Sequence, residues 1–171
     1  MLVHPSLAET VGEPELKIWS DPTGGVRVMA SLRIPAAPQV VQAVLTDYES
    51  WPALFSNGMR LAHLERTNGR IVTDLYIKRP LLAGEFRLLC ETQELPDGGW
   101  TRLVAGDFKR YQRTWRVRSE GEPDVTRAEF ELIVEPTMWL PDWLMKLALR
   151  HELESHFQIL RDRAVERSRA H

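Results

Sequence analysis

The sequence predicts an α+β fold: a curved antiparallel sheet of about seven strands wrapped around a long C-terminal helix, with two short helices after the first strand. Three observations carry this expectation. The stretch Ile34–Phe55, IPAAPQVVQAVLTDYESWPALF, reads as a strand end, a short helix, a turn at Asp47-Tyr48-Glu49 and a second short helix opening at Trp51-Pro52. An Asn68-Gly69 pair sits between two strand-like runs. From about Pro141 to Ser168 the apolar residues change from alternation to helical spacing.

Alternation defines the first long strand. Val26, Val28, Ala30, Leu32 and Ile34 alternate with Arg27, Met29, Ser31 and Arg33, giving one dry and one wetter face. Ahead of it, Leu16–Ser20 is a candidate extra strand, joined by the turn Asp21-Pro22-Thr23-Gly24-Gly25. In the first short helix, Val40 or Val41, Val44, Leu45 and Tyr48 recur every three to four residues, an apolar stripe that needs a cover. Pro52 suits the start of the second helix, because its φ is already helical and its missing N–H removes no bond there.

Asn68-Gly69 joins Met59–Arg66 to Arg70–Lys78. A two-residue type I′ turn needs positive φ at both positions, which Asn and Gly tolerate best. Phe86, Leu88 and Cys90 alternate with Arg87, Leu89 and Glu91, and Pro96-Asp97-Gly98-Gly99 turns that strand into Trp100–Gly106. Tyr111, Arg113, Trp115 and Val117 mark the next strand, and Ala128, Phe130, Leu132 and Val134 the last. Hairpin order makes the sheet antiparallel, and Pro136 ends it. In the terminal helix, Leu149, Leu153, Phe157, Leu160 and Ala164 form one stripe, to which the first half adds Trp143, Leu144, Leu147 and Ala148. That wider apolar arc suggests early turns that face both the sheet and a cavity.

The 171 residues fit one domain over 14–171, behind an N-terminal extension over 1–13. A formal charge of −2 supplies no global basic field, so nucleic acid is not an expected partner. Cys90 is the only cysteine, which forbids an intrachain disulfide and points to a reducing compartment. The first residues lack the basic flank and apolar run of a signal peptide, and no window approaches the ~20 apolar residues of a transmembrane helix. A cytoplasmic protein is expected, with at most transient membrane contact.

The helix pair, the hairpin and the late amphipathic helix together resemble the polyketide cyclase/dehydrase and lipid-transport family (SRPBCC) of the START and Bet v 1-like superfamily, over roughly Val26–Ala164. The resemblance implies a helix-grip fold. It implies as partner a hydrophobic small-molecule ligand, such as a lipid, quinone-like or polyketide-like compound, and no cofactor. Because one fold hosts many activities, function must be argued from the site.

Trp51, Phe55, Phe108, Tyr111, Trp115, Trp139 and Trp143 are more large aromatics than a thin sheet-and-helix core readily packs. They form either a dense core or the wall of a ligand cavity. The resemblance favours the cavity. In similar ring cyclases the aromatics matching Trp51, Phe55 and Trp115 contribute to the pocket wall, and Leu88 and Cys90 fall where some relatives carry bulkier rings. An entrance is expected where the short helices meet the terminal helix, with Trp51, Phe55, Trp143 and Leu147 nearest the mouth.

Arg113 shares strand parity with Trp115 and Val117. There it needs an acidic partner or an anionic ligand, unless a bulge or the sheet rim lets it reach water. Arg102 has the same ambiguity through its parity with Trp100 and Val104. His151 and His156 suggest a zinc helix but are five residues apart, about 140° round a helix, whereas that motif needs four, so no metal is expected. His151 is placed instead at the cavity wall, beside Leu147. Cys90 reads as core rather than nucleophile. The basic run Lys109, Arg110, Arg113, Arg116 and Arg118 reads as a solvated strand edge.

No phosphate loop, Ser/His/Asp signature or carboxylate pair stands out. Similar aromatase/cyclases place a tyrosine after the short Trp-Pro helix and an arginine along the strand after the first hairpin. Those positions hold Gly58 and Glu94 here. The leading expectation is therefore non-enzymatic binding or transport of a hydrophobic small molecule, and a cyclase or dehydratase is the alternative. A further alternative is an interaction module like the ribosome-associating, quinone-binding, toxin-related branch, which the run Gly106-Asp107-Phe108-Lys109-Arg110-Tyr111 with Trp115 resembles.

Overall fold

The computed structural model describes residues 14–55, 58–79 and 81–170. A hairpin of β1 (Glu15–Ser20) and β2 (Val26–Ile34) is followed by α1 (Pro38–Leu45), a 3-10 turn (Tyr48–Ser50) and α2 (Trp51–Leu54). Six strands come next: β3 (Arg60–Thr67), β4 (Arg70–Lys78), β5 (Glu85–Leu95), β6 (Gly98–Gly106), β7 (Phe108–Glu120) and β8 (Glu122–Pro136). The chain then enters α3 (Asp142–Arg169). The predicted extension over 1–13 lies outside the described residues.

The strands form one antiparallel sheet in the order β1-β2-β8-β7-β6-β5-β4-β3. Hairpins make most of these neighbours, while β8 inserts beside β2 and joins the two ends of the chain. The candidate extra strand is real, so the sheet has eight strands rather than about seven. At the β3–β4 turn Asn68 has φ 48° and Gly69 φ 78°, the positive values that the dipeptide predicts. Gly98 closes the β5–β6 turn against β7. A Cβ there would lie 1.9 Å from the Trp115 carbonyl oxygen, so no larger residue fits. Register shifts at Leu61/His63, Leu89/Cys90, Phe108/Arg110 and Ser119/Glu120 add the local bends and twist that curl a sheet.

Position within the sheet corrects one expectation. β7 is an interior strand, so its basic run is not a strand edge. Alternation puts Arg110 and Arg118 on the outer face, where Glu135 and Glu129 of β8 pair with them at 3.2 and 2.7 Å. Arg102 also faces outward and pairs with Glu91 at 3.0 Å. Arg70 joins the same carboxylate, and the two guanidinium groups hold Glu91 down to about 2. The β1–β2 turn is tied down by Asp21, whose carboxylate accepts from Thr23 and Arg27 and lies 3.4 Å from Arg110.

Two apolar clusters build the interior. One joins the inner faces of β2 and β8 to α1 and α3, through Val28, Leu32, Val41, Phe130, Leu153 and Phe157. The other joins β4 and β5 to the 3-10 turn and α2, through Tyr48, Trp51, Ile71, Leu75, Leu88 and Cys90. Phe108 and Tyr111 pack against both. The main packing of α3 is on α1, β1 and β2, so the helix leans toward one half of the sheet. The other half is covered by two short elements, and a gap between the two coverings follows.

Candidate functional site

A cavity of about 260 Å3 lies in that gap. It is near the small end of organic-ligand pockets, which run roughly 300–1,000 Å3. The sheet supplies Leu75 and Ile77 from β4, Phe86, Leu88 and Thr92 from β5, Thr101 from β6, and Phe108, Tyr111, Arg113 and Trp115 from β7. Tyr48, Trp51 and Phe55 close one side, and Met145, Ala148, Leu149, Leu153, His156 and Phe157 of α3 close another.

The aromatics along the cavity fall into three contacting groups. Trp115, Phe130 and Phe157 meet edge-on or tilted at 4.8–5.8 Å and fill the interior beside the gap. Tyr48, Trp51, Phe55 and His156 form a second chain, with centroids 4.6, 6.2 and 4.3 Å apart along it. Phe86, Phe108 and Tyr111 form a third. Dense packing and cavity wall thus coincide: Trp115, Phe130 and Phe157 pack on one another and also face the gap.

Polar groups in the wall are few. The Thr92 and Thr101 hydroxyls share a 2.8 Å hydrogen bond, and the buried Tyr48 hydroxyl adjoins Thr92. Arg113 reaches this track through Nη2, which donates to Thr101 Oγ1 at 3.4 Å. Its guanidinium carbon lies 5.2 Å from the Trp51 ring centroid, a cation–π distance. Its Nε is buried and has no hydrogen-bond partner. At the α1 end, Gln42 donates to the Leu95 and Gly98 carbonyls at 3.1 and 2.8 Å, while its Oε1 has no partner.

The surroundings set the protonation states. Burial, then the positive charge of Arg113, lowers the His156 imidazole to about 4. The Glu152 carboxylate 3.7 Å away favours the imidazolium, but it is 44% exposed, so solvent screens it and burial prevails. Burial raises the Tyr48 and Tyr111 hydroxyls above their ordinary value. At neutral pH the wall therefore holds a neutral imidazole and two neutral phenols beside the permanent cation of Arg113, with Lys78 also on the lining.

The structure brings together Trp51, Phe55, Leu88, Phe108, Tyr111, Arg113 and Trp115 from the sequence-derived set. Four others differ. Trp143 and Leu147 are 66% and 59% exposed, and His151 is exposed too. The reason is helix phase: the arc that meets the sheet runs through Met145, Leu149, Leu153, His156 and Leu160, and those three side chains point away from it. Cys90 is 2% exposed and packs in the β4–β5 cluster rather than in the cavity wall, where burial pushes its thiol up to about 12. His156 was missed, although the sequence held a signal: it lies three residues after Leu153 and four before Leu160, on the stripe itself. Among the described residues no cluster of three His, Cys, Asp or Glu converges on a metal position.

Comparison with known proteins agrees with the architecture. Residues 34–158 match the family described as polyketide cyclase / dehydrase and lipid transport. No curated protein matches the chain. Among solved structures, a Thermus thermophilus protein is 24% identical with a TM-score of 0.67, over 83% of this chain and 99% of its own. The Zhui aromatase/cyclase of a Streptomyces species is 12% identical with a TM-score of 0.69, over 82% of this chain and 94% of its own. Human STARD10 is 13% identical with a TM-score of 0.71, over 90% of this chain and 74% of its own. At these identities the likeness speaks for the helix-grip architecture alone. The family match spans most of the chain, and with it the chain belongs to the polyketide cyclase/dehydrase and lipid-transport family.

Proposed function

We propose that this protein binds a hydrophobic small molecule in its internal cavity and carries it without altering it. The family is associated in general with hydrophobic-ligand binding, lipid transport or polyketide cyclisation. The observation that supports carriage here is the cavity itself: a gap of about 260 Å3 with a wall that is largely aliphatic and aromatic. Filling such a space removes apolar ligand surface from water at roughly 25 cal/mol per Å2. Native mass spectrometry and solvent extraction of the purified protein test the reading. Recovery of an intact apolar compound in a stoichiometric complex is expected. An empty protein that takes up no apolar probe sinks it.

One observation favours a second reading. His156, neutral at pH 7, faces the cavity with the Tyr48 and Tyr111 phenols, so a proton acceptor and two donors share the space. A cyclase or dehydratase would use them. Turnover of an aromatic polyketide precursor, abolished in His156→Phe, would replace carriage with this reading.

Among the described residues no helix is long and apolar enough to cross a membrane. Trp139, Trp143 and Leu147 are nonetheless exposed, as are Leu81 and Leu82 between β4 and β5. Backbone bonds from Asp107 to Arg87 and from Thr137 to Asp107 put both segments at one end of the sheet. Transient contact with a lipid surface at that end fits carriage.

A further inference from the structure

Arg113 carries information about the ligand beyond its being apolar. A guanidinium has five N–H donors and keeps its charge at any pH that a protein survives. Here its Nε is buried and unpartnered, Nη2 makes one long bond to Thr101, and the Tyr111 hydroxyl is its other hydrogen-bonding neighbour. Among the described residues no carboxylate lies within ion-pair distance of Arg113. Most other arginines on the sheet do have such partners, as Arg87 does with Asp74 at 3.0 Å. A charge desolvated without its counter-ion is costly, and an anion entering the cavity offsets that cost.

The geometry points to a ligand with an acidic head. We propose that the molecule in the cavity is a small monocarboxylic acid with an apolar body, its carboxylate accepting from Arg113 Nε and Nη2. This rests on the reading of the cavity as a binding site. A planar guanidinium presents two parallel N–H groups that match the two oxygens of a carboxylate. The Tyr111 hydroxyl adjoins the same guanidinium and adds a neutral donor. Trp51 covers the guanidinium face, leaving its edge for the ligand. The body of the acid then meets Leu75, Phe86, Phe108 and Leu149.

Two wall carboxylates oppose an anion, and neither holds Arg113. Glu152 lies beside His156 with 44% of its side chain exposed. Glu94 is half-buried near the end of β5, beyond ion-pair distance of any described cation, and its charge is felt at Tyr48. A water-bridged Glu94–Arg113 pair is the competing account of the arginine.

Decanoate and 1-decanol, which share a chain and differ in the head, separate these possibilities when titrated into the intact protein at pH 8 and followed by calorimetry. Decanoate should bind about 10–100-fold more tightly than the alcohol, the factor that hydrogen bonds to a charged group supply. Arg113→Met should abolish that preference, bringing the two probes within about threefold of each other. Arg113→Lys should restore only part of it, because a point charge lacks the two-pronged geometry. Glu94→Gln should tighten decanoate binding a few-fold. Equal binding of both probes by the unaltered protein overturns the carboxylate proposal and leaves the cavity reading standing. Binding of neither probe overturns both. A Glu94→Gln variant that loses thermal stability, with decanoate affinity unchanged, identifies Glu94 as the counter-ion and overturns the proposal.

Discussion

The two faces of β7 use the same residue type in opposite ways. Outside, Arg110 and Arg118 lie against glutamates of β8, and Arg110 also meets Asp21 and the Gly24 carbonyl. Inside, Arg113 sits among Trp51, Tyr111 and Trp115, with only the Thr101 and Tyr111 hydroxyls as polar neighbours. The outer arginines have their counter-ions built in: Arg110 holds the largely buried Asp21 and Glu135, while the Arg118–Glu129 pair lies in water that screens it and contributes little. The inner one has a low-dielectric environment and, among the described residues, no carboxylate within ion-pair distance; the proposed anionic ligand would supply that charge.

The largest break in this comparison comes from the apolar neighbours of Arg113. Trp115→Ala empties space beside Phe130 and Phe157 and should cost about 3–4 kcal/mol in urea unfolding. A cost below about 1 kcal/mol would mean that the inner face is loosely packed throughout.

Next in size is a pH effect. His156 titrates near 4 in the folded chain against about 6.5 when unfolded. Between these values the unfolded chain binds a proton that the folded chain excludes. Stability is therefore full above about pH 6.5 and falls as pH drops toward 4, by about 1–3 kcal/mol. His156→Phe should flatten the part of the stability–pH curve between 4 and 6.5; an unchanged slope would assign it to other groups.

Arg113→Met should leave the empty protein as stable or raise its stability by about 1–2 kcal/mol, since an uncompensated buried charge gives way to an apolar chain. A clear loss of stability would show that Arg113 serves the scaffold after all. The smallest effect belongs outside: Arg118→Ala breaks an exposed pair with Glu129 and should change stability by less than about 0.5 kcal/mol, an effect that salt reduces further.

Arg113 was legible because strand parity places it with Trp115 and Val117 whatever the sheet around it does. The same logic sets Tyr111 inward, whereas Trp51 and Phe55, on and after α2, follow from the family resemblance. The phase of α3 is less legible: its 28 residues carry Trp143 and Leu147 on one apolar arc and Met145 and Leu149 on another. Hydrophobicity alone cannot choose between adjacent arcs of one helix, and here the exposed one contains the larger side chains. The basic run on β7 shows a related limit: alternation is local, but whether a strand is an edge depends on where β8 inserts.

Local rules written in the sequence determined the elements: alternation set the strand faces, Asn68-Gly69 a type I′ turn, Pro52 and Pro136 element ends, and the Leu153–Ala164 spacing a buried stripe. Each follows from steric and hydrogen-bonding limits spanning a few residues, so neighbouring side chains suffice to read it. Tertiary structure decided the order of the sheet, the phase of α3, the inward position of His156 and the gap beside Arg113. A cavity is a distance between surfaces from remote parts of the chain. Here it exists because α3 leans on β1 and β2 while the 3-10 turn and α2 cover β4 and β5, and no single segment encodes the space between them.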